Sequence, residues 1–231
     1  MATHQRKLDR ALEDLKNKLI HMATIAETMI DHAIGALVHR DEEFAADVPR
    51  YEQDVNRLQI EIDETVQTLA ATHQPVAGDL RLLLAATKIN GELERIGDQA
   101  VNITEDVHPL VQQPELKPLI DIPRMAEIAG GMVRDSLQAF VRGDVLLAQS
   151  VIMTDDQVDA LKNQVLRELL TYMMSRPEAV ELALALILIS RHLERIGDHA
   201  TNIAEDVIYL VQGRDVRHPG TPKGKPAQDD Q

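Results

Sequence analysis

A twenty-residue segment occurs twice in this chain, one hundred residues apart. Leu93–Gln112 reads LERIGDQAVNITEDVHPLVQ and Leu193–Gln212 reads LERIGDHATNIAEDVIYLVQ, so fifteen of the twenty positions are identical. A repeat of this length indicates tandem copies of one supersecondary unit. The repeated polar residues, in first-copy numbers, are Glu94, Arg95, Asp98, Asn102, Glu105 and Asp106. Because packing does not dictate polar positions as it dictates apolar ones, this polar face is the first candidate for function.

The composition favours packed helices. Hydrophobic residues make up 44% of the chain but aromatic residues only 2%, so the core must be built from aliphatic side chains. Such a core suits helices better than a β-sandwich. The absence of cysteine excludes disulfides, thiolate metal sites and a cysteine nucleophile. The net charge of -14 argues against nucleic acid or anionic lipid as a charge-driven partner and is compatible with cation binding.

Apolar residues recur at alternating steps of three and four, which predicts amphipathic helices. In the first half these patterns cover residues 8–36, about 44–71 and 86–110, with breaks at 39–43 and 73–78. Three helices of this length, joined by short turns, predict an up-down-up bundle.

The helical pattern restarts in the second half. Residues 132–161 align with 29–58 at an offset of 103, and the offset becomes 100 after a second hairpin turn near 175–178. We therefore predict an all-α protein made of two tandem, pseudo-symmetric three-helix bundles. The predicted units are a first repeat at 1–113, a connector at 114–124, a second repeat at 125–212 and a flexible tail at 213–231, rich in proline, glycine and charge.

Acidic residues one helical turn apart occur in both copies of the repeat. Glu94 and Asp98 share one helix face that points away from the apolar stripe, and Glu194 and Asp198 repeat this arrangement. A single pair of this kind is usually an ordinary solvated face. Two carboxylates at this spacing repel each other, however, and their recurrence at matching positions favours a functional role.

The second helix of each half carries another spaced pair. These pairs are Glu52 with Asn56 in the first half and Asp155 with Asp159 in the second. At each hairpin the pairs on the second and third helices are equidistant from the apex, so they should lie at the same height near the rim. Oxygen ligands that converge in this way suit a hard cation. The candidate metal ligands are therefore Glu52, Asn56, Glu94, Asp98, Asp155, Asp159, Glu194 and Asp198.

Gly97 and Gly197 lie inside the repeated motif, in the middle of a predicted helix. Glycine there costs roughly 1 kcal/mol relative to alanine. Their recurrence predicts a close approach of the second helix to the third. That approach is either purely structural or also brings the acidic pairs within bridging distance.

The histidines give weaker signals. Glu105 and His108 resemble the Glu-x-x-His motif of di-iron bundles, but the second copy has Ile208, so we interpret this match as chance. His199 lies beside Asp198, and any role as a ligand would be specific to the second site. The sequence contains no glycine-rich phosphate loop, HExxH motif or nucleophile elbow, and we predict that the protein is not an enzyme.

The chain resembles the PhoU family. ERIGD occurs twice, each time followed by NI and ED, and QPVAGDLR stands at the first hairpin, so the resemblance covers roughly residues 5–212. It implies a cytoplasmic regulator of phosphate uptake and homeostasis that negatively regulates the phosphate regulon. The implied partners are the ATPase subunit of a phosphate ABC transporter and a sensor histidine kinase. We also expect a homodimer that binds no nucleic acid and reaches the membrane only through its partners.

The resemblance also implies metal binding, because some family members hold multinuclear iron or other metal clusters at paired (E/D)xxxD motifs. By position these motifs are the acidic pairs on both third helices and on the second helix of the second half. In the first half Asn56 replaces a carboxylate, so the first site is expected to bind metal more weakly. Iron, zinc, manganese and magnesium all remain open as the ion.

Two alternatives compete with the regulatory adaptor. One is a ferritin-like di-metal carboxylate enzyme, which is disfavoured because such enzymes bury their carboxylates inside the bundle. The other is a metal-free structural helical repeat.

The N-terminus lacks the apolar segment of a secretory signal, and the longest apolar run, 182–189, has eight residues. Since a bilayer span needs roughly 20 apolar residues, we expect a cytoplasmic protein.

Overall fold

The computed structural model describes residues 2–213 and residue 216, with side chains from residue 6 onward. The helices are α1 (Ala2–His39), α2 (Val48–His73), α3 (Gly78–Val111), α4 (Asp121–Arg142), α5 (Val145–Ser175) and α6 (Val180–Gln212). Single-turn 3-10 helices at Glu42–Ala45 and Pro177–Ala179 precede α2 and α6, and the described residues contain no strand. Across those same residues, no helix has the length and apolar character needed to cross a membrane. The all-α class is confirmed, while the tail predicted at 213–231 lies outside the described residues apart from 213 and 216.

Helix α2 begins four residues later than the apolar pattern predicted. The sequence placed its start near Phe44, but Glu42–Ala45 form a separate 3-10 turn. Asp41 caps that turn, because its side chain accepts a hydrogen bond from the Glu43 N–H at 3.0 Å. Pro49 then lies in the first turn of α2, where a missing N–H breaks no helical hydrogen bond.

The second half begins at Asp121, before the predicted start at 125. Pro123, which the sequence placed in the connector, lies in the first turn of α4, a position that proline tolerates. The connector itself is anchored. The buried ammonium of Lys117 contacts the carboxylate of Glu168 on α5 and lies 4.0 Å from that of Asp121.

The two halves share one continuous apolar core. Helices α1–α3 form one bundle and α4–α6 the other, while α3 packs against α6 and α1 against α4. Matching positions of α3 and α6 are 0% exposed, namely Leu93, Ile96, Ala100, Ile103 and their counterparts Leu193, Ile196, Ala200 and Ile203. The same repeat positions are thus buried in both halves, which confirms the predicted pair of pseudo-symmetric three-helix bundles.

Helices α3 and α6 run antiparallel and are joined by two equivalent polar pairs. Glu92 Oε2 lies 2.7 Å from His199 Nδ1, and Gln99 Oε1 lies 2.9 Å from His192 Nδ1. Because the copies are offset by 100 residues, Glu92 corresponds to His192 and Gln99 corresponds to His199. The two pairs therefore join equivalent positions. The bundles are therefore related by a pseudo-two-fold axis, as in an isologous dimer interface.

Ion pairs continue this interface on either side. Lys88 Nζ lies 2.7 Å from Asp206 Oδ1, and His192 Nε2 lies 3.1 Å from Asp106 Oδ2. Burial raises the pKa of Glu92, but hydrogen bonds from His199 and Asn202 outweigh this effect and lower it. The carboxylate of Glu92 is thus held in its charged form within the contact between the bundles.

Candidate acidic site

The repeated polar residues fall on two different faces. Asp106 and Asp206 belong to the contact between α3 and α6, and Asn202 donates a hydrogen bond to Glu92 there at 3.1 Å. Packing of the two copies against each other explains why these positions repeat. The part of the repeated polar face that remains a candidate for function is therefore smaller than the sequence suggested. Asp98 and Asp198, by contrast, are exposed.

Four predicted carboxylates come together between α5 and α6. We call the following residues the second acidic cluster: Asp155, Asp159, Glu194 and Asp198. The ammonium of Lys162 lies 2.7 Å from Asp159 Oδ1 and 2.7 Å from Glu194 Oε1, so it joins the two helices. The hairpin geometry predicted the meeting of the carboxylates, but no sequence pattern pointed to the lysine.

Burial and crowding make the second acidic cluster electrostatically unfavourable for negative charge. The pKa of Asp155 is raised to about 6, first by burial and then by the charge of Asp198 and the other neighbouring carboxylates. The pKa of Asp198 is also raised, by burial and then by Glu194 and Asp159. These carboxylates are therefore more easily protonated than ordinary surface groups.

The repeated glycines mark the predicted close approach of the second helix to the third. A Cβ atom placed on Gly97 would lie 3.5 Å from Val55 Cγ1, an ordinary contact. One placed on Gly197 would lie 3.1 Å from Asp155 Oδ1, which is tight. The approach is confirmed in both halves, but only in the second half is the approaching group a carboxylate.

In the first half, the electrostatic effects fall on Glu94. Burial raises the pKa of Glu94, and the charge of Asp98 adds to that effect, while Arg95 opposes it. The charges that act on Glu94 are those of Asp98, Arg95 and His199.

A metal ion would not find a prepared site in this arrangement. Among the residues that the structure describes, no three acidic or histidine side chains are placed to hold a metal ion. The oxygen donors are of the type that hard cations prefer. In the second acidic cluster, however, the ammonium of Lys162 already contacts two of the four carboxylates. The donor chemistry suits a metal, but the geometry as it stands does not.

The histidines lie outside the second acidic cluster. His199, considered as a possible ligand beside Asp198, instead contacts Glu92 of the first half. His108 Nδ1 lies 3.0 Å from Glu42 Oε1 at the surface. One sequence signal could have pointed to the contact of His199 with Glu92. The first copy has Gln99 where the second has His199, and a position that differs between two copies packed on each other has different contact partners in the two copies.

Alanine substitutions test the two glycine contacts. Gly97→Ala should stabilise the protein by up to about 1 kcal/mol, because alanine favours helix and the new methyl meets only ordinary contacts. Gly197→Ala should gain less, because its methyl displaces the carboxylate of Asp155. Urea unfolding followed by circular dichroism measures both changes. Equal gains would show that the carboxylate is not held against the α6 backbone.

The raised pKa of Asp155 predicts a pH-dependent stability. Because the folded value of about 6 exceeds the ordinary 3.8, the folded protein binds this proton more tightly than the unfolded chain. The resulting stabilisation is complete below about pH 4 and is lost as the pH rises through about 6. Asp155→Asn, which cannot ionise, should therefore gain stability relative to the parent as the pH rises across this window. Urea unfolding at several pH values measures this. A difference in unfolding free energy between the two proteins that stayed constant with pH would contradict the prediction.

The sequence matches known proteins along most of its length. A model of the PhoU domain matches residues 19–107 and 122–207. The chain is 42% identical over 212 residues to the phosphate-specific transport system accessory protein PhoU homolog of Aquifex aeolicus (strain VF5), covering 92% of this chain and 96% of that protein. It is 40% identical over 210 residues to the homolog of the same description from Pseudomonas putida, covering 90% of this chain and 82% of that protein.

Solved structures share the fold. The crystal structure of PhoU from Pseudomonas aeruginosa matches with a TM-score of 0.86 at 38% identity, covering 89% of this chain and 99% of that one. The phosphate transport system regulatory protein PhoU from Streptococcus pneumoniae matches with a TM-score of 0.82 at 26% identity, covering 90% and 99%. Taken with the doubled motif and the paired bundles, these matches show that the chain belongs to the PhoU family.

Proposed function

We propose that this protein is a cytoplasmic regulator of phosphate uptake that acts as an adaptor. It binds the ATPase subunit of a phosphate ABC transporter and a sensor histidine kinase, and it keeps phosphate-starvation genes repressed while phosphate is ample. The relatives' description as phosphate-specific transport system accessory proteins supports the connection with phosphate transport. The Streptococcus pneumoniae relative is described as a phosphate transport system regulatory protein, which supports a regulatory function.

The observation that carries this proposal is a charged motif that stays exposed in both halves. Once the contact between α3 and α6 accounts for Asp106 and Asp206, two repeated charges are exposed in both halves. They are Arg95, Asp98, Arg195 and Asp198, all exposed. Exposed charges kept at matching positions in both halves are suited to recognising a partner.

An exposed apolar ridge in the second half supports a protein partner. We give this name to Leu166, Leu170 and Met174 on α5 together with Val180 and Leu184 on α6. The α5 members recur every four residues and so share one helix face. Exposed apolar side chains gathered at one end of a helical hairpin mark a surface for protein contact.

A groove connects the apolar ridge with the second acidic cluster. It lies between α5 and α6 and has a volume of about 450 Å³. Leu166 and Ile187 line its apolar part, and Lys162, Arg191 and Glu194 line its charged part. A partner bound along this hairpin would therefore meet both apolar and charged groups, which suits specific recognition.

A non-catalytic role is supported by the position of the acidic residues. A ferritin-like di-metal enzyme places its carboxylates inside the bundle. Here Asp98 and Asp198 are exposed, while Glu94 and Glu194 are only partly buried at the bundle surface. The arrangement supports surface recognition over chemistry in an enclosed core.

The proposal predicts loss of repression without loss of fold. The test variant replaces four exposed residues by alanine: Arg95, Asp98, Arg195 and Asp198. Surface substitutions usually change stability by less than about 0.5 kcal/mol each, and alanine favours helix. In a deletion strain this variant should express phosphate-starvation genes in high phosphate, as measured with a reporter, while circular dichroism shows intact helices.

A matched control carries the same kind of change on a different surface. It replaces four exposed charges of α1 by alanine: Arg6, Arg10, Glu13 and Asp14. This control should repress normally. Pull-down of the ATPase subunit and of the kinase's cytoplasmic part identifies the contact that is lost. Normal repression by the folded test variant would place the partner surface elsewhere.

A further inference from the structure

Lys162 occupies the centre of the polar contact between α5 and α6. Its side chain is 23% exposed, and its ammonium lies 2.7 Å from both Asp159 Oδ1 and Glu194 Oε1. These distances are those of strong, charge-assisted hydrogen bonds. The lysine thus neutralises two carboxylates that belong to different helices.

The two halves differ at the positions that set the charge of the acidic residues. At the offset of 103, Asp159 and Lys162 correspond to Asn56 and Gln59. The second half therefore gains one carboxylate and one ammonium together. Its four carboxylates and one ammonium carry a formal charge of -3, the same as the three carboxylates among the first-half candidates. The additional carboxylate, which by itself favours tighter metal binding in the second half, comes with its own counter-ion.

We infer that Lys162 is the resident cation of the second acidic cluster, which the chain neutralises with its own ammonium in place of a metal ion. A divalent ion bound to Asp159 and Glu194 would lie beside the ammonium, and the two positive charges would repel each other strongly at that separation. The ion could bind only after Lys162 had left. This inference does not depend on the proposed adaptor function.

Manganese binding to the full chain tests the inference. Protein stripped with chelator is titrated with Mn²⁺, and the free ion is measured by electron paramagnetic resonance. Lys162→Gln should bind Mn²⁺ at least about tenfold more tightly than the parent, because a positive charge has been removed from among four carboxylates. Lys162→Arg keeps the charge and should bind like the parent.

A second lysine provides the matched control. Lys88 pairs with Asp206 at 2.7 Å in the contact between α3 and α6, outside the second acidic cluster. Lys88→Gln also removes a paired ammonium, so the general charge of the protein changes equally. It should leave Mn²⁺ binding at the parent value, which separates a local effect from a general one.

Thermal unfolding gives a second measurement. Metal-free Lys162→Gln should melt below the parent, and Mn²⁺ should raise its melting temperature more than that of the parent. If this variant does not fold without metal, refolding in Mn²⁺ should restore its helical circular dichroism. The inference is overturned if Lys162→Gln gains no Mn²⁺ affinity over the parent, whether both proteins bind the ion or neither does. It is also overturned if Lys162→Arg gains as much as Lys162→Gln. The Mn²⁺ titration and the melting curves use purified protein and do not measure repression, so they leave the adaptor proposal to the reporter assay.

Discussion

The antiparallel packing of α3 against α6 is the contact on which the rest of the structure depends. Ile96, Ile196 and their neighbours are completely buried along these helices, which lie in one core shared by both bundles. Without this contact, apolar positions that α3 and α6 bury against each other would face water. The contact also fixes the pseudo-two-fold relation between the halves and thereby the positions of the two acidic faces on the surface.

A segment that packs against its own copy is constrained at polar positions as well as apolar ones. Asp206 pairs with Lys88 and Asp106 with His192, so both aspartates are retained for contacts between the bundles. Repetition of a polar residue is therefore not by itself a sign of partner binding. The adaptor proposal rests on repeated charges that stay exposed and take no part in this contact, such as Arg195.

Local helical geometry was readable from the sequence, but contacts that depend on reach and relative placement were not. Periodicity predicted the six helices, and distance from the hairpin apex predicted that Asp155 and Asp198 meet, because both follow from helix rise and turn position. The bridging role of Lys162 depends on the reach of a long, flexible side chain across two helices. The contact of Glu92 with His199 depends on how the bundles are rotated against each other, which periodicity does not specify.

Native-state hydrogen exchange of α3 and α6 tests most directly whether the two halves form one cooperative unit. Amides around Ile96 and Ile196 lie at the centre of the shared core, so they should exchange only through global unfolding, with the same free energy. Mass spectrometry of peptides gives the free energy of exchange for α3 and for α6, and urea unfolding gives the free energy of global unfolding for comparison. Faster exchange in one helix, at a free energy well below that of global unfolding, would show that the halves unfold independently and would contradict this account.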